Sequence, residues 1–195
     1  MKTFIITLLI LLSVISVTFI IERGLALRST KIIPPDLRNA QKQLQDTDDL
    51  SALKNYCQHY GSPYGRLLTY AIDHRHISRR ENAESLQTHA RHESAQLERG
   101  LVVLEITTGI APLLGLVGTI FGLITLFKAM GMTGADQSQF ADGISIALQA
   151  TLLGLVIAIP SLTAWSLYSK RIEMLAVEIE SHCDEFLQKY YGRKT

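Results

Sequence analysis

Sulfur is scarce in this sequence: among its 195 residues the only cysteines are Cys57 and Cys183, far apart and in no CxxC spacing. That excludes a disulfide framework and a zinc-finger signature, and both are expected to be free thiols. Charge is scarce as well, at 19% of residues against 47% hydrophobic, and the formal net charge is +1 with Lys and Arg interspersed among Asp and Glu. No basic field argues for a nucleic-acid partner. The phosphate-binding GxxxxGK[ST] run, the nucleophile elbow and HExxH are missing too, so neither an enzyme active site nor a cofactor is expected.

What the chain does contain is long uncharged runs. Residues 3–21 carry no charge, and at ~1.5 Å per residue such a helix reaches about 28 Å, close to the hydrocarbon thickness of a bilayer. Residues 106–127 are uncharged between Glu105 and Lys128, and residues 143–169 between Asp142 and Lys170. Each run meets the ~20 residues needed to cross. The first run follows Met1-Lys2 as a signal peptide would, but it is longer than such an h-region and no A-x-A site follows it before Glu22. It reads as a retained anchor.

Basic residues near the span ends set the orientation. Arg23, Arg28 and Lys31 follow the first span, Arg91 and Arg99 precede the second, and Lys170 and Arg171 follow the third, whereas the loop between the second and third offers only Lys128 against Asp136 and Asp142. The N-terminus is expected outside and both larger polar segments in the cytosol, with Lys2 as a small contrary sign. The expected organisation is an all-α membrane protein: a first transmembrane helix at 1–21, a cytosolic helical region at 22–100, a second transmembrane helix at 101–130, a short external loop at 131–141, a third at 142–169 and a cytosolic C-terminal helix at 170–195.

Within the cytosolic region, Pro34-Pro35-Asp36 opens a helix through about Gln45, Asp49 caps another ending at Tyr60-Gly61, and Pro63 opens a third through about His74. Ser78-Arg79-Arg80-Glu81 has capping-box spacing. No Gly or Pro interrupts from there to Gly100, which predicts one long helix continuing into the second span. After the third span, Ile172, Leu175, Ile179, Cys183, Phe186 and Tyr190 recur at spacings of three and four. That apolar stripe needs a partner helix, either within the subunit or in a neighbouring one.

Glycine concentrates in the second span, in APLLGLVGTIFGL. At ~100° per residue, Thr108, Ala111, Gly115, Gly118, Gly122, Thr125 and Ala129 fall along one side, and Pro112 sits among them. The third span repeats the device with Gly143, Ala147, Ala150, Gly154, Ala158 and Ser161. In lipid, helices associate through close van der Waals contact, which small side chains permit. The stripes therefore mark either a seam between the two spans of one subunit or a surface lining a cavity shared by several subunits. Polar residues inside the spans are few, and the candidates among them are Thr119, Thr151 and, on another face, Gln149. A membrane Thr can simply bond its own carbonyl one turn back, or it can face a hydrated ion path. No span carries a carboxylate, Lys, Arg or His in its middle, although ion-driven membrane machines need a charged group at depth. A conducting assembly would take that group from a partner.

In ERGLALR, KIIPPDL, LERGLVVLEITTGIAPLLGLVGTIFGLITLF and GISIALQATLLGLVIAIPSLTAW, the chain resembles the MotA/TolQ/ExbB proton-channel family, specifically its three-span ExbB/TolQ branch. The resemblance implies a ring of five such subunits around the single transmembrane helices of an ExbD/TolR-like partner that carries a pore Asp. It implies a bacterial inner-membrane location and a motor or stator that uses the ion-motive force to move that partner, energising outer-membrane transport through a TonB/TolA-like protein. The family's pore threonines fall on Thr119 and Thr151, with Ala147 beside them. Many ExbB and TolQ sequences carry Glu five residues before the second Thr, where this chain has Ile146. Sodium is open beside the proton, and the rivals to the motor are a passive oligomeric scaffold and a self-contained channel.

His89, His92 and Glu93 share a helical face at a spacing that suits a metal, but on an amphipathic helix they read as a solvated polar face. His74 and His76, two apart, would diverge on a helix and are read as surface.

Overall fold

The computed structural model of the chain describes residues 2–44, 50–133 and 137–192, and its regular elements there are all α-helices. They are α1 (Lys2–Ala26), α2 (Ser29–Ile32), α3 (Pro35–Leu44), α4 (Leu50–Tyr60), α5 (Pro63–Asp73), α6 (Arg79–Glu98), α7 (Leu101–Thr133) and α8 (Gln137–Gly192). Three of them, α1, α7 and α8, contain stretches long and apolar enough to cross a membrane. The protein is an all-α, multi-pass membrane protein. The chain divides into two compact units, one of Met1–Arg23 with Gly100–Leu167 and the other of Gly24–Arg99 with Tyr168–Thr195.

The first unit is three helices with a thin interior. Ile5 and Leu9 of α1 meet Ala111 of α7 and Ile157 and Ala158 of α8, with Leu12, Leu114 and Phe121 packed around them. Most large apolar side chains turn outward instead: Leu113, Leu152 and Ile159 are each more than 60% exposed. Such an inverted distribution is unstable in water and stable where the surroundings are hydrocarbon. One buried polar link ties the first helix to the third, Ser16 Oγ to Ser161 Oγ at 2.6 Å. Ser161 also contacts the Ile157 carbonyl at 2.7 Å. It has one proton to give, so Ser161 donates to Ile157 and Ser16 donates to Ser161.

The second unit is a bundle whose helix starts are capped locally. Pro35 and Pro63 open α3 and α5, Ser62 accepts from the Gly65 amide at 3.1 Å, and Ser78 and Glu81 form a complete capping box at the start of α6. Hydrogen bonds from Ser78 hold the Glu81 carboxyl below the usual carboxylate range. Gly61, with φ +54°, closes α4, a left-handed turn that glycine accommodates without a Cβ clash. The expected cap at Asp49 and the expected helix end at Gln45 lie outside the described residues.

The apolar stripe of α8 is buried within this unit. Ile172, Leu175, Ile179, Cys183 and Phe186 are each at most 3% exposed, and Tyr190 is half-buried. Gln41 of α3 donates to the His182 carbonyl at 3.1 Å. Asn82 of α6 contacts the Tyr191 hydroxyl at 3.2 Å, and Tyr191 donates to the Ile77 carbonyl at 2.9 Å. The partner helices are therefore α3 and α6 of the same subunit, with the Tyr64 ring of α5 edge-on to His182 at 5.9 Å.

Two local expectations are corrected. The helix opened at Ser78 stops at Glu98, and α7 starts afresh at Leu101. Gly100 lies under the Arg23 guanidinium, which occupies the space a Cβ would need. Arg99 keeps helical dihedrals, so the interruption comes from low glycine propensity at a site covered by another helix. His74 is not on a helix but caps α5, so its ring does not diverge from that of His76 but stacks with it at a centroid distance of 6.2 Å, and on Tyr70 at 4.0 Å; His76 is exposed, as expected, and His74 is half-buried. Helices also outrun the uncharged stretches: α1 continues through Glu22 and Arg23, and α7 and α8 extend into residues 131–141. Charge marks where a helix leaves the apolar phase, and capping marks where it ends.

Candidate functional site

The small residues of α7 and α8 face each other within one subunit, so closely that several positions have no room for a Cβ. One built on Gly154 would lie 2.5 Å from the Ala111 carbonyl oxygen, and one on Gly115 would lie 2.8 Å from the Ala150 carbonyl oxygen and 2.9 Å from the Thr151 Cα. Gly118 faces the Ala150 methyl and Gly122 the Ala147 methyl, at 2.6 and 2.7 Å by the same measure. At Gly143 the neighbour is the flexible end of Leu126. Ala111, Ala147 and Ala158 are at most 6% exposed. Pro112 is half-buried within α7, and its ring removes the amide that would bond the Thr108 carbonyl. The side chain of Ala129 lies outside the described residues.

At the centre of this seam Thr119 and Thr151 meet, with hydroxyl oxygens 2.5 Å apart. Thr119 also reaches the Ala147 carbonyl at 3.1 Å and the Gly115 carbonyl at 3.3 Å. Thr151 reaches across to the Gly115 carbonyl at 3.2 Å. Two hydroxyls own two protons, so one bridges the pair and the other goes to a carbonyl. Two arrangements satisfy this: Thr151 donates to Thr119, which donates to a carbonyl, or Thr119 donates to Thr151, which donates to the Gly115 carbonyl. They differ only in hydroxyl rotation, and each leaves acceptor lone pairs on both oxygens. Both threonines are partly exposed at the seam.

The glycines make this pairing possible. With a methyl at Gly115 or Gly154 the backbones could not approach to the distance at which hydroxyls on two helices share a proton. Ala147 contributes its carbonyl, its methyl being packed on Gly122. Gln149 is exposed and stands apart from the pair. The side chain of Ile146 lies outside the described residues. The sequence pointed to both threonines but not to the Ser16–Ser161 link, although two serines in otherwise apolar spans were a visible signal.

Elsewhere, the histidine face of α6 is dispersed. His89 packs on Tyr70 at 3.8 Å, His92 pairs with Gln96 at 3.2 Å, and Glu93 receives the Arg66 guanidinium through both oxygens. Among the described residues no three His, Cys, Asp or Glu side chains converge as metal ligands.

Three apolar helices, a glycine-alanine seam and a hydroxyl pair at its centre define a class of membrane-embedded helical subunit whose polar chemistry sits between two spans. The model of the MotA/TolQ/ExbB proton channel family matches residues 59–181, and the chain belongs to that family. It is similar to an ExbB homolog of Methanothermobacter thermautotrophicus, 33% identical over 124 residues, which cover 64% of this chain and 44% of the relative. An ExbB-like biopolymer transport protein of Synechocystis is 30% identical over 181 residues, covering 86% of this chain and 69% of the relative. The Tol-Pal system protein TolQ of Pseudomonas aeruginosa is 33% identical over 105 residues, covering 53% and 46%. The alignments thus span between about two fifths and two thirds of these relatives' own lengths.

Proposed function

We propose that the chain is the ring-forming subunit of an ion-driven motor in the bacterial inner membrane, using the ion-motive force to move an ExbD/TolR-like single-span partner. The observation that carries this reading is the Thr119–Thr151 pair, a polar group with free lone pairs in spans that hold no charged side chain at mid-depth. Hydroxyls can pass or coordinate an ion but cannot store a proton at neutral pH. The storing group is the partner's carboxylate, which the ring holds against Thr119 and Thr151. Five copies enclose the partner helices, the first helix enters from outside, and residues 22–100 and 170–195 lie in the cytosol. The partner in turn drives a TonB/TolA-like protein for outer-membrane transport or envelope maintenance. In this role the subunit binds no cofactor and catalyses no covalent chemistry.

The test is to express the chain with a single-span neighbour that carries an Asp in its span, purify the complex, and weigh it intact. Uptake that collapses with an uncoupler then reports the motor. Thr119→Val with Thr151→Val should leave the complex assembled and lower gradient-dependent activity at least tenfold. Unchanged activity in that double variant would remove the hydroxyl pair from the pathway. A complex that forms without any gradient-dependent activity would favour a passive scaffold, a reading that Ile146 in place of the family's common Glu keeps in view.

A further inference from the structure

A polar recess in the second unit has the composition of a phosphate site. Its volume is about 460 Å³, and its walls include Ser29, Thr30, Asn39, Arg38, Lys42 and Glu178. Two hydroxyls, an amide and two cations face one acid, a set rich in donors. Arg38 is held loosely: its guanidinium stands 3.9 Å from Glu178, beyond hydrogen-bond distance, and its Nε is buried with no acceptor in reach. Among the described residues its terminal nitrogens meet protein only through this long ion pair to Glu178, and a tetrahedral oxyanion can take such a pair of N–H groups bidentately.

The chain itself limits how far the Ser29 and Thr30 wall of this recess can lie from the membrane. The uncharged run of α1 ends at Ile21, five more helical residues carry the chain about 7.5 Å to Ala26, and the three residues on to Ser29 span at most about 11 Å however they are folded. Ser29 and Thr30 therefore lie within reach of the headgroup layer bordering the span in α1. Arg28 and Lys31, both exposed, add positive potential along the same edge, which concentrates anionic headgroups.

We propose that Arg38 and Lys42, with the Ser29 and Thr30 hydroxyls and the Asn39 amide, bind the phosphate of a membrane lipid headgroup. The site tethers the second unit to the bilayer where the first helix emerges. Glu178 faces the rest of the headgroup and disfavours a second phosphate, so the site takes a single phosphodiester. The proposal rests on α1 spanning the membrane and not on ion conduction, so it stands or falls independently of the motor reading.

The experiment uses the full chain in nanodiscs of mixed phosphatidylglycerol and phosphatidylcholine, released into native mass spectrometry, with lipids retained per subunit as the readout. The wild type should retain phosphatidylglycerol, and Arg38→Gln with Lys42→Gln should weaken retention at least tenfold. Arg28→Gln with Lys31→Gln, outside the recess, should change it less than threefold. Arg38→Lys keeps the charge but not the fork and should fall between, and circular dichroism of each variant checks that the helices are intact. Equal loss in both double variants would reduce the effect to diffuse surface charge and overturn the site, as would retention unchanged by either. A second arm adds glycerophosphate to the protein in lipid-free detergent. Protection against thermal unfolding that vanishes in the Arg38/Lys42 variant, without lipid retention in the first arm, would assign the recess to a soluble phosphate ester and overturn the lipid tether.

Discussion

A single methyl group separates two kinds of glycine in this protein. At Gly154 an added Cβ would meet backbone, 2.5 Å from the Ala111 carbonyl and 3.3 Å from the Gly115 Cα. Neither neighbour can rotate away, so the helices must part. At Gly109, on the same α7, a Cβ would meet nothing within 4 Å. Gly154→Ala is expected to cost about 1–3 kcal/mol by overpacking, and Gly109→Ala to be neutral or to gain up to about 1 kcal/mol from helix propensity. Thermal unfolding of the two purified variants in detergent measures the contrast, and equal shifts would contradict the seam. The sequence showed which positions were small and on which face they lay, because helical period is a local property. It could not say that the two stripes face each other within one subunit, since period names a face and not its partner. Ser16 escaped notice for the same reason: a lone serine in an apolar helix reads as bonding its own backbone, and only tertiary register brings Ser161 to it.

Helix starts were legible in the sequence because caps act within four residues. Pro35, Pro63 and the Ser78–Glu81 box each sit at the start of the helix they announced. The break at Arg99–Gly100 was not legible, because a helix can carry a single glycine at a cost of about 1 kcal/mol, and the Arg23 guanidinium that covers Gly100 comes from α1. The destination of the α8 stripe was equally hidden, since an apolar face is satisfied by a helix of its own chain or of another. Its burial makes a direct prediction about the element. Phe186 is 1% exposed and Val177, on the same helix, is 63% exposed. Phe186→Ala should cost about 3–5 kcal/mol, whereas Val177→Ala should stay within about 0.5 kcal/mol. Limited proteolysis across residues 24–99, with melting followed by circular dichroism, distinguishes them. If Val177→Ala loosened the bundle as much as Phe186→Ala, the stripe would not pack within the subunit.

Taken whole, the molecule is built for two solvents, and its own thiols provide a silent background for finding which side of the membrane each part occupies. Both cysteines are buried in the second unit. Burial pushes the Cys57 thiol up to about 11 and the Cys183 thiol higher still. At pH 7 a thiol of that kind is ionised in only about one molecule in ten thousand, and the thiolate is the species that reacts with maleimide. The wild type should therefore resist a membrane-impermeant maleimide both in intact spheroplasts and in inverted vesicles. Against that background a single surface cysteine reports its compartment. Thr88, exposed on α6, and Ala141, exposed near the start of α8, lie on opposite sides in the proposed orientation. Thr88→Cys should label only in inverted vesicles and Ala141→Cys only in spheroplasts. The reverse pattern would turn the subunit over and place the basic flanks Arg23, Arg28, Lys170 and Arg171 outside, against the charge bias that orients membrane helices. Labelling of both from one side would mean that α7 does not cross. Either result would also move the hydroxyl pair relative to the gradient, because the depth of Thr119 and Thr151 is fixed by the spans that carry them.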